Sequence, residues 1–433
     1  MSELSMQGLS SERRKKTLSY RGVIYIVACL SYFFVYFHRT SSAVMVPELS
    51  TTFGILPASM GVLGSIYFYG YALAQLPAGI LSDRFGARKT MSIFMLMAGV
   101  GAIVFGISPT FRIAVIGRFF VGLGVGFIYV PIMRLLADWY RKNEFATYSG
   151  ILLAIGNAGS LASAAPLVMM MSGMGWRKAM ILVGIVSIVI SMVTYLVVRN
   201  NPKEINGATI SEIEGHDEVP KKATISLGAG IGQVVKSYSF WAITLYLSFL
   251  YGTIMGFQGL WAGPYFMTIY GMTKATASQL LTLIPVGMII GCPLAGLLAD
   301  KVFKTKKSVV LLGGLVYLSI WVALVTVPSG IPVGLLKIMM FAYGLFGGFF
   351  VVIYAHLKEN MPMNLVGTAI GLLNMIVFFF GAIFQQVMSL IVDRYTVDGV
   401  IALAGFRAAF MFCLGALIFC ITLYMTQKNK EVL

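Results

Sequence analysis

Apolar residues run through this chain in long, almost unbroken stretches, and the polar residues gather in the gaps between them. The stretches fall at 23–47, 57–82, 90–108, 113–137, 147–171, 178–198, 238–262, 276–299, 308–327, 332–355, 366–390 and 406–426. Each is long enough to cross ~30 Å of hydrocarbon as a helix. The pattern predicts an all-α membrane protein with twelve transmembrane helices. One polar stretch is long. Residues 199–236 hold Asn200-Asn201-Pro202, the acidic cluster Glu212, Glu214, Asp217 and Glu218, and then Lys221-Lys222. It reads as a flexible linker between two six-helix halves, 1–198 and 237–433. His216 within it reads as a solvated side chain rather than a metal ligand. The remaining loops are short and leave little water-exposed scaffold for an enzyme's site.

Composition supports the membrane reading. Of 433 residues, 58% are hydrophobic and 11% charged, whereas soluble proteins carry roughly 25% charged residues. The net charge of +16 raises the question of nucleic acid, but its placement answers differently. With both termini cytoplasmic, about 22 of the 32 Lys and Arg fall on the cytoplasmic side and about six outside. Arg39, Arg118, Arg134 and Lys337 fall within spans. The excess follows the positive-inside rule, so the expected partner is the lipid bilayer of a cytoplasmic membrane, crossed many times, and not a nucleic acid. Cys29, Cys292, Cys413 and Cys420 lie in apolar spans without metal-ligand spacing and read as small buried hydrophobes. No metal or cofactor is expected. The basic run Arg13-Arg14-Lys15-Lys16 precedes an apolar run too long for a signal peptide, so it reads as a cytoplasmic tail.

The most informative gap is Gly79-Ile80-Leu81-Ser82-Asp83-Arg84-Phe85-Gly86-Ala87-Arg88-Lys89, a charged turn between two apolar runs. A fainter copy, Gly296-Leu297-Leu298-Ala299-Asp300-Lys301 with Lys304, Lys306 and Lys307 after it, lies 296 − 79 = 217 residues on, about half of 433. Gly175-Trp176-Arg177 and Gly405-Phe406-Arg407 open corresponding spans in the same way. This spacing reads as internal duplication, and the chain resembles the major facilitator superfamily over nearly its whole length. The resemblance implies two pseudo-symmetric halves that alternate access around a central cavity, in a protein expected to be a monomer. It also implies a conformational latch built from Gly79, Asp83, Gly86 and Arg88, with Asp138 as a partner. Gly79 and Gly86 are read as the places where a helix approaches its neighbour and where the chain turns. The second copy lacks the downstream glycine. Arg118-Phe119-Phe120-Val121-Gly122-Leu123-Gly124 matches a further pattern of that family, Arg-x-x-x-Gly-x-Gly.

Candidate binding chemistry centres on Arg39, inside the first apolar stretch. Tyr32, Tyr36 and Arg39 share one helical stripe. A planar guanidinium flanked by phenols suits an anionic group, and a charge inside a span is costly enough to point to function. The competing reading pairs Arg39 with Glu48, a strained reach of ~13 Å along one helix. His38 points about 100° away. It and Arg118 are the candidates for proton coupling, set against plain hydrogen bonding for His38 and snorkelling for Arg118. Tyr251, Gln258 and Trp261 form a polar stripe in the seventh span. Weaker polar positions are Tyr67, Tyr71, Gln75, Asn157, Tyr343, Tyr354, Asn374 and Gln385, each of which also fits a hydrogen bond between helices. No Asp or Glu lies mid-span, which disfavours a cation carrier. The first span resembles that of organophosphate:phosphate antiporters, yet Met255 and Gln75 stand where those carry a second Arg and a Lys. One Arg suits a monoanion such as a monocarboxylate. The chain is thus expected to be a secondary transporter of a small organic anion, driven by protons or by exchange. The alternatives are export of a neutral or amphiphilic compound, and a transporter-like solute sensor. No nucleotide-binding loop or catalytic cluster emerges to suggest an enzyme.

Overall fold

The computed structural model describes residues 3–214, 227–303, 305–362, 365–397 and 400–427. His216, Asp217, Glu218, Lys221, Lys222 and Lys304 lie outside them. Among the described residues ten helices are long and apolar enough to cross a membrane. One departure from an all-helical chain is a two-residue antiparallel pair, Thr396–Val397 with Val400–Ile401. β-Branched residues at all four positions favour it there.

Helix α1 (Glu3–Thr40) is 38 residues long, ~57 Å at helical rise, so its basic first turns extend beyond the hydrocarbon. It tightens into a 3-10 turn at Ser41–Val44 and resumes as α2 (Val46–Phe53). The uninterrupted span expected over 23–47 is therefore broken near its end. Pro47 has no N–H to offer the preceding turn, and the Thr40 hydroxyl donates back to the Tyr36 carbonyl at 3.0 Å.

Helix α3 (Pro57–Ile107) is nominally 51 residues, ~76 Å if straight, far longer than a bilayer. It is not straight. Gly86 has φ 81° and ψ 161°, which only glycine adopts readily. A Cβ there would also lie 2.5 Å from Asn200 Oδ1. Contacts with α4 (Phe111–Gly126) show that the chain folds back. Gly122 meets Tyr67 and Gly117 meets Gly101. Residues 67 and 101 would be ~51 Å apart in one helix, yet they touch positions ~7.5 Å apart on α4. After α5 (Tyr129–Trp139) and α6 (Lys142–Ala162), α7 (Ala165–Val197) repeats the device at Gly175, with φ 78° and ψ 157°. Tyr25 donates to the Tyr148 carbonyl at 2.7 Å and Tyr20 to the Val197 carbonyl at 2.6 Å, so both ends of this long stretch return to the same part of α1. Close approach fixes Gly122: a Cβ would sit 2.0 Å from the Tyr67 carbonyl oxygen. Such tight contacts replace the hydrophobic drive that lipid does not supply. Gly79, expected at such an approach, faces open space instead.

The stretch expected to be a flexible linker is docked over residues 199–214. The Thr17 hydroxyl donates to Ala208 O at 2.8 Å, and Ala208 N to Arg13 O at 3.2 Å. Arg13 pairs with Glu212 near α8 (Ile210–Glu214). We call this end of the bundle the base and the opposite end the top. From α9 (Leu227–Val234) the chain continues through α10 (Tyr238–Gly256), a π-helical turn (Phe257–Trp261) and α11 (Ala262–Tyr270). Then come α12 (Lys274–Leu297), α13 (Lys306–Thr326), α14 (Val333–Gly347), α15 (Val351–Asn360), α16 (Val366–Asp393) and α17 (Leu403–Met425). Arg177 donates to the Ser108 carbonyl at 2.5 Å, and Arg407 to the Val325 carbonyl at 3.1 Å. Each thereby caps carbonyls left unpaired at the end of a neighbouring helix.

Candidate functional site

Arg39 is the penultimate residue of its helix, two positions before the 3-10 turn, and three rings enclose its guanidinium. The carbon of the guanidinium lies 4.4 Å from the Tyr36 ring centre, 5.0 Å from Tyr71 on α3 and 5.2 Å from Phe378 on α16. The residue is 6% exposed, its Nε has no hydrogen-bond partner, and no carboxylate among the described residues forms an ion pair with it. Desolvated cation–π contacts are worth up to ~2 kcal/mol each, so three of them offset much of the several kcal/mol needed to bury a cation. They act on the faces of the guanidinium and leave its Nε donor unpaired. Arg39 also lines a cavity of about 50 Å³, together with Tyr36, Asn157, Tyr251, Gln258 and Met288. That is room for a few water molecules or for the acid group of a cargo.

Arg118 has a different environment. It lies 1% exposed, donating to His38 O at 3.2 Å and Ser42 Oγ at 2.5 Å, with its carbon 4.9 Å from the Tyr67 ring centre. It points into the protein, not out to a lipid headgroup region. His38 shares a hydrogen bond of 3.1 Å between Nε2 and Ser187 Oγ, away from the cavity. Neither lines the cavity beside Arg39.

The structure brings Arg39, Tyr36, Asn157, Tyr251 and Gln258 around one cavity and stacks Tyr71 against the guanidinium. Tyr32 packs on Tyr36 and Tyr129 instead, and the Tyr67 hydroxyl is directed to Val35 O. Gln75 donates to the Tyr71 and Gly126 carbonyls at 3.4 Å each. Trp261 donates to Ser389 Oγ at 3.0 Å, Tyr343 to Thr253 O at 3.2 Å, and Asn374 accepts from Tyr354 at 2.8 Å. Those side chains are committed to holding helices together. The apolar part of the wall, including Leu153, Ile254, Met288, Cys292 and Phe350, and the Phe378 lid over Arg39 escape a search for polar outliers. An apolar residue in an apolar run carries no such signal.

The two ends of the bundle differ. At the top, Glu48 pairs with Lys274, Ser65 Oγ donates to Gln386 Oε1 at 3.1 Å, and a Cβ on Gly263 would lie 3.2 Å from Ala43 O. These contacts join elements before and after residues 199–236. At the base, Asp83 pairs with Arg134 at 2.7 Å, and Arg134 lies 3.9 Å from Asp138. Arg88 donates to the Tyr195 carbonyl at 2.6 Å. All of these partners precede residue 199. Nearby, burial raises the Glu144 carboxyl's pKa. The Arg21 guanidinium at 2.8 and 3.2 Å and the Arg141 N–H outweigh that and hold it below its ordinary value.

Residues 28–385 match the sequence profile of the Major Facilitator Superfamily. The "Probable sulfoacetate transporter SauU" of Cupriavidus necator is 23% identical over 304 residues, 70% of each chain. A "Probable hexose phosphate transport protein" of Chlamydia trachomatis is 25% identical over 68% of each. The "Membrane sensor protein UhpC" of Salmonella typhimurium is 28% identical over 67% of this chain and 66% of its own. Among solved structures, a bacterial homologue of the human lysosomal transporter Spinster, inward-facing and unoccupied, superposes with a TM-score of 0.75 at 16% identity, covering 94% of this chain and 96% of that one.

Proposed function

The chain belongs to the Major Facilitator Superfamily, a family of transport proteins that cross the membrane many times, and on that premise we propose that it carries a small organic monoanion through the cytoplasmic membrane, with Arg39 as the anchor. Ten apolar helices, two of them folded back at Gly86 and Gly175, support twelve crossings. The matching caps made by Arg177 and Arg407 support two six-helix halves joined through residues 199–236. The Lys and Arg distribution supports cytoplasmic termini, which makes the base the cytoplasmic side. Contacts that join the halves at the top, with Asp83, Arg134 and Asp138 gathered within one half at the base, fit an inward-facing state of an alternating-access cycle.

The observation that carries this reading is a buried guanidinium on a cavity wall with no acidic partner. A bound carboxylate completes it with bidentate, charge-assisted hydrogen bonds. Two of the relatives named above point to substrates with two acidic groups or a phosphate. Here Arg118 is occupied by His38 and Ser42, so one cation serves the cavity, and a single negative charge balances it.

Arg39→Ala tests it. Truncating one side of a buried charged pair costs about 2–5 kcal/mol, roughly 30-fold or more in affinity. Reconstituted variant protein should lose uptake of every carboxylate that wild type transports, while eluting as folded protein in detergent. Undiminished uptake would remove Arg39 as the anchor. A second reading, a solute sensor, draws on the likeness to the membrane sensor protein. Anion binding without flux in vesicles would favour it.

A further inference from the structure

Gln258 and Tyr251 hold polar atoms that an anionic group alone does not satisfy. Gln258 lies in the π-helical turn Phe257–Trp261, a widened turn of the kind found at functional sites. It is 8% exposed, and its amide oxygen is buried without a hydrogen-bond partner among the described residues. It lines the cavity that Arg39 lines and also an adjoining one of about 20 Å³. The turn itself is anchored, since Trp261 donates to Ser389. The Tyr251 hydroxyl is likewise buried without a partner, its ring edge-on to Phe378 at 5.2 Å between centres. A buried polar group left unpaired costs about 1–3 kcal/mol, so these atoms are built to meet water or cargo.

The chemistry of the missing partner can be narrowed. Arg39 offers donors only, and a carboxylate offers acceptors only, so the two satisfy each other. The amide oxygen of Gln258 is an acceptor and needs a donor. An ammonium group would supply one but would sit in a cavity that already carries the Arg39 charge and has no wall carboxylate to hold it. A hydroxyl supplies a donor without a charge, and Tyr251, two turns earlier on the same stripe, can bond a hydroxyl as donor or acceptor. Resting on the anion reading above, we infer that the cargo is a hydroxylated monocarboxylate, its acid group on Arg39 and its hydroxyl chemistry read by Gln258 and Tyr251.

The test is calorimetric titration of the purified full-length protein in detergent with matched acids, lactate against propionate and gluconate against hexanoate. Wild type should bind the hydroxylated member of at least one pair about tenfold tighter or more, since a site built around a hydroxyl discriminates strongly against its absence. Gln258→Leu should reduce that preference to about threefold or less, because the amide is then missing. Tyr251→Phe removes only a hydroxyl, and should narrow the preference even if Gln258→Leu loses its fold. Arg39→Ala should abolish binding of both members. Equal or tighter binding of the hydroxyl-free acids in both pairs, still dependent on Arg39, overturns the hydroxyl inference and leaves the anion reading standing. An undiminished preference in folded Gln258→Leu and Tyr251→Phe also overturns it. Binding of none of the four acids by wild type overturns both.

Discussion

Arg39 and Arg118 are buried cations that solve the problem of their charge in opposite ways. Arg118 spends its planar fork on two neutral oxygens, His38 O before the 3-10 turn and Ser42 Oγ within it. Arg39 keeps rings on its faces and part of its donor set toward a cavity. Lysine cannot reproduce the fork. Arg118→Lys should lose one of two charged hydrogen bonds, worth about 1.5–3 kcal/mol, and lower the unfolding temperature in detergent, while Arg39→Lys, which keeps a cation among the rings and breaks no bond to His38 or Ser42, should lower it less. Equal unfolding temperatures for the two variants would contradict this division. Sequence made both residues conspicuous, because an Arg in an apolar run is rare. It did not separate their roles, since the distinction rests on which atoms fold back to meet each one. The same limit explains Gln75, Trp261 and Tyr343: a polar residue in a span looks identical whether it binds cargo or a neighbouring carbonyl. Phe378 marks the converse, a site residue that no polar signal reveals.

At the scale of elements, two glycines carry the fold-backs that let α3 and the α6–α7 stretch cross the bundle twice. Gly86 combines φ 81° with a Cβ position 2.5 Å from Asn200 Oδ1, whereas Gly175 has φ 78° and open space around it. Replacing either with Ala strains the backbone by about 1–2 kcal/mol. Gly86→Ala must also displace Asn200, which accepts from Arg88 N at 3.0 Å. Gly86→Ala should therefore unfold at a clearly lower temperature than Gly175→Ala in a thermal scan in detergent, and the reverse order would show that the Asn200 contact is slack. The turn at Gly86 was legible because charged residues surround it. The break after Thr40 was not, because Ser41 to Val44 read as a continuation of an apolar helix, and the hydroxyl bond from Thr40 to Tyr36, which acts there together with Pro47, shows only in the folded chain.

For the molecule as a whole, the Glu48–Lys274 ion pair ties the top of the bundle across the two sets of helices. In the proposed cycle it must separate for the cavity to face outward, so it biases the resting population. An ion pair at this partly exposed position is worth about 0–1 kcal/mol, enough to shift a two-state ratio up to about fivefold. Glu48→Gln should increase labelling of a cysteine introduced at Ala43 by an impermeant reagent applied from outside, and the double swap Glu48→Lys with Lys274→Glu should restore it. Labelling unchanged in Glu48→Gln would show that the pair is incidental. The recurrence of long apolar helices could be read from the residues. The docking of residues 199–214 onto the base could not, because their hydrogen bonds run to Arg13 and Thr17, nearly two hundred positions away. The missing counter-ion of Arg39 has an electrical corollary. An empty carrier that reorients around an uncompensated guanidinium moves one positive charge through the membrane field, about 2.3 kcal/mol per 100 mV. A carrier loaded with a monoanion moves none. Exchange of one anion for another should then run at the same speed whatever the membrane potential, while net uptake depends on the voltage through the return of the empty carrier alone.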